Sequence, residues 1–301
     1  MATYSHPIYD SSNYQNNRPQ YKDALVDAIL EYHLKNPEAT TDLAVDVATG
    51  TGIFARQLQR GFKRVIGVDI SEVMLRSARK VATQPPIEFV QSPAESLLFL
   101  ESGSVDVVTV ATGAHWFNID GFIAEAKRVL KSTGTLVIFG YTGFASFVDY
   151  PQCDTMLKEF GLNDSKLGSY WDQGRDVLVE GYRDYHKALA NGKWVDIFRR
   201  IYPNTIQGEP SAEFPPVVGD SPVVMDYSVN WRVLKNYWST WSALATYHRD
   251  YPEREAFDQV LIREMMTAVG ASNMDEPLNL EWEEVLIFCH PPQQSQAVKA
   301  N

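Results

Sequence analysis

Cysteine is scarce in this chain, with two in 301 residues. Cys153 and Cys289 have no metal-ligand spacing and cannot form a disulfide framework, which points to a reducing compartment. Long apolar runs are missing as well, so no bilayer-spanning segment is expected. The opening Met-Ala-Thr-Tyr-Ser-His carries neither a basic stretch nor an apolar core, so the expectation is a cytoplasmic protein without a secretory leader. Positive charge is in short supply: 27 basic residues face 38 acidic ones, for a formal net charge of −11. Nucleic acid and anionic membranes both demand basic patches and are therefore not expected partners. No side-chain constellation suggests a metal site, and none is expected.

What is present is ordinary for a globular enzyme, at 45% hydrophobic and 22% charged residues. That is enough for one substantial core with an insertion, or for two small domains. A small-molecule substrate and a monomer or weak dimer are the expectation. Apolar, β-branched runs at Leu43–Val47, Val65–Val68, Ile87–Val90, Val105–Val110 and Thr135–Phe139 read as strands. Helical stretches at Ile53–Arg60, Ser71–Val81 and Ile119–Leu130 separate them. This alternation predicts an α/β, doubly wound, mostly parallel sheet. Trp194–Tyr202 and Leu280–Phe288 bring the expected sheet to seven strands.

Tyr21–His33 is expected as a helix preceded by an arm over Asp10–Arg18. Further helices are read at Pro151–Phe160, Arg175–Leu189 and Asn230–His248, and a Pro-rich loop at Gly208–Pro222. The expected organisation is therefore an arm and helix (1–40), a binding core (41–141) and a cap insertion (142–279) with a returning strand near 194–202. A last sheet strand (280–290) and a disordered tail (291–301) complete it.

Leu43 to Gly52, Leu-Ala-Val-Asp-Val-Ala-Thr-Gly-Thr-Gly, is the most informative stretch. A buried strand ends in a turn whose glycines leave backbone open to a ligand, and a helix follows. Asp69 ends the next strand, where an acid can accept hydrogen bonds from both hydroxyls of a ribose. Gly50-x-Gly52-x-x-Ala55 also satisfies a dinucleotide pattern. Asp46 favours another cofactor, because a carboxylate near the strand end suits the ammonium and sulfonium of S-adenosylmethionine (SAM) and would repel a pyrophosphate. Ala48, at the place of a third glycine, is expected to keep a negative φ. Glu95 follows the third strand and could read an adenine edge. Thr109–Phe117 holds His115, a candidate for orientation or proton transfer titrating near neutrality, and Trp116, a candidate wall. Tyr14 and Arg18 form a candidate lid in which the guanidinium pairs with a carboxylate of cofactor or substrate.

These residues resemble the class I SAM-dependent methyltransferases with a Rossmann-like sheet. The closer resemblance is to a fungal small-molecule branch that includes trans-aconitate and cantharidin methyltransferases. It covers nearly the whole chain through Tyr14-x-x-x-Arg18-Pro19-x-Tyr21, Val45–Gly52, Ala114-His115-Trp116-Phe117, Leu167-Gly168-x-Tyr170-Trp171, Trp238-x-x-Trp241-Ser242 and Pro277–Trp282. The resemblance implies a methionine site around Asp46, Ala48, Gly50 and Gly52, with Asp69 on the ribose. Ile70, Met74, Pro93, Ala94, Glu95 and Ala111 complete the implied cofactor set, with S-adenosylhomocysteine as product.

Tyr141, Tyr170, Trp171, Arg175, Trp238 and Trp241 are the candidate substrate residues. The implied function is methyl transfer to an O or S atom of a metabolite, in secondary metabolism or detoxification. A trans-aconitate-type carboxylate O-methyltransferase is the alternative, with a thiol S-methyltransferase also within the branch. A polycarboxylate would need two or more of Arg18, Arg175, Arg183 and Arg232 to converge. Outside this class stand a nicotinamide-dependent oxidoreductase and a non-catalytic SAM-binding protein.

Overall fold

The computed structural model describes residues 3–202 and 226–292. Five strands, β1 (Leu43–Val47), β2 (Arg64–Asp69), β3 (Glu88–Gln91), β4 (Val105–Ala111) and β5 (Leu130–Phe147), run parallel. β1 is buried at every position because both its faces are covered. Val45 and Val47 pack with Phe122 and Ala126 on one face, and Ala44 packs with Leu25, Ile29 and Phe54 on the other. The covering helices are α2 (Asp23–His33), α3 (Ile53–Leu58), α4 (Glu72–Ala78) and α5 (Ile119–Val129), while α1 (Ser11–Asn17) packs against α4. The expected arm is thus partly helical, with Asp10 as its cap accepting from the backbone of Ser12 and Asn13.

The sheet runs β3-β2-β1-β4-β5-β8-β6, where β6 is Val195–Tyr202 and β8 is Pro277–His290. β8 lies antiparallel between β5 and β6. These are the seven strands read from the sequence. An eighth, β7 (Asp226–Asn230), pairs with the outer part of β8 and was missed, because its polar Asp-Tyr-Ser-Val-Asn carries no apolar run. The burial of β8 records two environments. Leu278, Leu280 and Trp282 alternate with more exposed neighbours, whereas Val285 to Cys289 are buried without a break.

The remaining helices are α6 (Gln152–Leu162), α7 (Arg175–Val179), α8 (Arg183–Asn191), α9 (Trp231–Trp238), α10 (Ser242–Asp250) and α11 (Phe257–Val269). They divide between two bodies. Tyr185 and Leu189 of α8 join the core of the central sheet. By contrast α6, α9, α10 and α11 enclose a second core with the outer parts of β5 and β8, containing Phe147, Leu157, Trp231, Trp238 and Leu261.

Two helices expected to be continuous are broken. Arg175–Leu189 is interrupted at Gly181 and Tyr182, both left-handed, with φ of 59° and 54°. Asn230–His248 stops after Trp238 and restarts at Ser242. The break frees the carbonyl of Thr240, which accepts hydrogen bonds from Tyr9 and Arg18. The expected Gly208–Pro222 loop and the tail from 293 onward lie outside the described residues.

Trp231 is fully buried and stacks on Phe147 and Tyr150 at the centre of the second core. Trp231→Ala is expected to lower stability in urea denaturation by about 3–5 kcal/mol. A loss under about 1 kcal/mol would mean that the cap does not depend on this core.

Candidate active site

The site begins at the turn after β1. Ala48, Gly50 and Gly52 all have positive φ, at 55°, 56° and 77°. The expectation for Ala48 is therefore corrected: it occupies the left-handed region at a cost of about 1–2 kcal/mol. The turn is drawn over β2 by a hydrogen bond from the Thr49 N–H to the Val68 carbonyl. The Ala48 methyl then fills the space above Gly113, where an added Cβ would stand 2.5 Å from it. Gly50 keeps the floor of the cavity bare. Gly52 serves packing instead, since a Cβ there would meet Phe89 Cζ at 2.8 Å and Arg56 Nη1 at 2.9 Å. Gly52 does not line the cavity.

The strand-end carboxylates do different work from one another. Asp46 is fully buried beneath the turn. Its two oxygens accept the hydroxyls of Thr49 at 2.6 Å and Thr109 at 2.7 Å. It does not line the cavity, so the expected direct partnership with a ligand ammonium or sulfonium is corrected to a structural one. Burial pushes its pKa up to about 6.

Asp69 does line the cavity. Its oxygens accept the backbone N–H groups of Gly50 and Ser71, each at 2.8 Å. Burial raises its pKa, against the opposing pull of those donors. Each oxygen retains a further lone pair, as a ribose with two vicinal hydroxyls requires. Glu95 also borders the cavity, but its Oε1 holds the Asn118 N–H at 2.8 Å, which ties the loop after β3 to the start of α5.

Above these strand ends lies a cavity of about 320 Å³. Ile70, Met74, Pro93, Ala94 and Ala111 border it from the sheet side, and Tyr14 and Arg18 from the arm. Trp116, Tyr141, Trp171, Arg175 and Trp241 also line it. Two expected wall residues do not. Trp238 is buried in the second core against Trp241, and Tyr170 packs edge-on against Tyr247. Their place in the aromatic pattern could not separate wall from core.

His115 lines the cavity, with its Nδ1 3.4 Å from the Tyr182 hydroxyl. Burial, assisted by the charge of Arg18, pushes its pKa down to about 3. The expected titration near neutrality is thereby corrected: the imidazole stays neutral and orients groups, with no proton of its own to supply at pH 7. Tyr4, Thr112, Asp172 and Ser242 join the cavity without having been anticipated. Only tertiary contact reveals them, apart from Asp172, whose position next to Trp171 was available.

Arg18 is the centre of the arm. It donates to the hydroxyl of Tyr141 at 2.6 Å, the hydroxyl of Tyr4 at 3.2 Å and the carbonyl of Thr240 at 3.2 Å. Its guanidinium also lies over the rings of Tyr14 and Tyr237. No carboxylate of the described residues is among these partners, and its Nε is enclosed without one.

The bare Gly50 backbone and the half-filled Asp69 fit a ribose, and the Arg18 charge suits an amino-acid carboxylate. Comparison with known proteins agrees. Residues 45–138 match the methyltransferase-domain family. The probable S-adenosylmethionine-dependent methyltransferase CRG1 of Saccharomyces cerevisiae is 26% identical over 293 residues, covering 96% of this chain and 98% of that one. This is a class I SAM-dependent methyltransferase.

A candidate methyltransferase of Dictyostelium discoideum is 33% identical over 181 residues, covering 60% of this chain and 65% of its own. Methyltransferase ptaI of Pestalotiopsis fici is 31% identical over 140 residues, covering 43% and 41%. Among solved structures, a candidate type II methyltransferase from Anaeromyxobacter dehalogenans superposes with a TM-score of 0.64 at 23% identity, covering 92% of this methyltransferase and 99% of that chain, which establishes the shared fold. No helix of the described residues is long and apolar enough to cross a membrane.

Asp69→Ala removes a cavity carboxylate placed to accept two ribose hydroxyls. Calorimetry with S-adenosylhomocysteine should show affinity lowered by at least about a hundredfold. Unchanged affinity in a folded variant would remove Asp69 from the cofactor site.

Asp46 yields a stability prediction whose sign follows from its raised pKa. The ionised carboxylate weakens the fold above about pH 6 and has no such effect below the unfolded value near 3.8. From pH 4 to pH 7, Asp46→Asn should therefore gain roughly 2 kcal/mol relative to the unsubstituted protein. A pH-independent difference in urea denaturation would show that Asp46 ionises equally easily in both states.

Proposed function

We propose that this methyltransferase acts on an O or S atom of a small, largely apolar metabolite, in secondary metabolism or detoxification. The observation that carries this reading is the wall of Tyr4, Phe144, Trp171, Tyr237 and Trp241 around a cavity with few cations. Apolar, aromatic walls with a few placed polar groups suit an apolar ligand. Two of the arginines weighed for a polycarboxylate stand elsewhere: Arg183 pairs with Glu180, and Arg232 is exposed and pairs with Asp275.

Carboxylate methylation is the second reading, and Arg175 favours it. Its guanidinium borders the same cavity as Arg18 and lies over the rings of Phe144 and Trp171. One monocarboxylate could pair with it while Arg18 serves the cofactor.

The bound cofactor supplies a methyl group already activated by a sulfonium. The work left to this chain is alignment and exclusion of water, and positioning of that kind can supply roughly 7–11 kcal/mol of a barrier. Asp69 and the Gly50 turn fix one end of the site. Trp171, Trp241 and Phe144 limit the poses of the acceptor, and the neutral His115 adds an orienting hydrogen-bonding group.

The test is turnover of apolar thiols, phenols and aromatic monocarboxylic acids against trans-aconitate, with Arg175→Ala beside the unsubstituted enzyme. Apolar thiols or phenols are expected to react fastest, and Arg175→Ala to change their rates by no more than a few-fold. Efficient trans-aconitate methylation that collapses in Arg175→Ala would replace this reading with the polycarboxylate one.

A further inference from the structure

Three carboxylates border the cavity, and two are engaged. Asp69 accepts from Gly50 and Ser71, and Glu95 from Asn118. Asp172 differs: its Oδ2 is shielded from solvent and receives no hydrogen bond from the described residues. The two cavity arginines do not compensate it. Arg18 is directed to Tyr141, Tyr4 and Thr240, and Arg175 to the rings of Phe144 and Trp171. Asp172 is close enough to the Tyr4 hydroxyl to disfavour its ionisation, which places the carboxylate beside the arm on the aromatic side of the cavity. An enclosed carboxylate oxygen without a donor is unfavourable, and a carboxylate that lines a ligand cavity can gain its donor from the ligand.

We propose that the Asp172 carboxylate receives the X–H group of the acceptor, an alcohol, phenol or thiol, and takes its proton during methyl transfer. This rests on the O- or S-acceptor reading above and deepens it. In the step, the X–H bond breaks and the proton passes to Asp172. The X electron pair forms the new bond to the methyl carbon as the carbon–sulfur bond of the sulfonium breaks, leaving a neutral thioether. The proton is then released to solvent. Asp172 is suited to this role by comparison: both oxygens of Asp69 and one of Glu95 already hold backbone donors, and desolvation leaves His115 a poor base. The same carboxylate repels an anionic acceptor, which makes it a specificity determinant.

The experiment is calorimetry on the full chain with S-adenosylhomocysteine bound, using 2-naphthol, 2-naphthylmethanethiol and 2-naphthoate as matched probes at pH 7. The unsubstituted enzyme should bind the naphthol and the thiol in preference to the naphthoate. Asp172→Asn should weaken the two neutral probes about tenfold, strengthen the naphthoate, and leave S-adenosylhomocysteine affinity within twofold. With 2-naphthol as substrate, the rate lost in Asp172→Asn should be recovered as pH is raised to ionise the naphthol.

Preference of the unsubstituted enzyme for naphthoate, or no binding of either neutral probe, would overturn the proposal and the O- or S-acceptor reading together. An unchanged probe order in Asp172→Asn, or a loss that persists at high pH, would overturn the role of Asp172 and leave that reading standing. Weakened S-adenosylhomocysteine binding would assign Asp172 to the cofactor and overturn the proposal in the same way.

Discussion

The antiparallel ladder between β5 and β8 is the constraint from which the rest of the architecture follows. It runs from Leu136 opposite Cys289 to Thr142 opposite Glu283, shifts register, and resumes at Ser146 opposite Glu281. The inner part closes the parallel sheet, and the outer part is the floor of the cap core. One continuous hydrogen-bonded ribbon therefore belongs to both bodies, so the cap is not a module on a flexible linker. A register shift of this kind bends a strand pair. Phe144 falls within the shifted stretch and reaches the cavity wall. The position of the aromatic wall over the strand ends follows from this bend.

Arg18 supplies the second joint. A single guanidinium links the arm through Tyr4 and Tyr14, the sheet through Tyr141, and the cap through Thr240 and Tyr237. Burial raises the pKa of Tyr4, Tyr14 and Tyr237, so these rings stay neutral around the charge. Neutral hydroxyls and ring faces stabilise a cation without cancelling it. A positive charge thereby remains at the cavity, uncancelled by any hydrogen-bonded carboxylate of the described residues. The interruption between α9 and α10 belongs to the same arrangement, because a continuous helix would have kept the Thr240 carbonyl for itself.

The parallel half of the sheet was legible because its signal is local. β1 and β4 are short β-branched runs, and a strand buried on both faces needs no partner in view to be recognised. Asp69 was legible for the same reason: the ligand position at a strand's carboxyl end follows from chain direction alone. Asp46 was placed on the right strand but given the wrong partner, since nothing in Asp-x-x-Thr says that Thr49 and Thr109 will claim both oxygens. Trp238 and Trp241 sit three residues apart on or beside one helix, yet one is core and the other is wall. Helical periodicity marks an apolar face, and only the neighbouring element decides what that face meets.

By itself, the sequence determined the α/β alternation, the glycine turn before α3 and the acid at the end of β2. Those features depend on residues adjacent along the chain, whose conformational preferences act before any long-range contact forms. Tertiary structure alone decided that Ala48 would be left-handed, that His115 would be held neutral, and that Asp172 would keep an unsatisfied oxygen at the cavity. Each depends on desolvation and on groups far away in sequence: Gly113 beneath Ala48, Arg18 and Tyr182 near His115, and Tyr4 near Asp172. Burial and distant charge set protonation and partnership, and neither exists until the arm, sheet and cap have closed on one another.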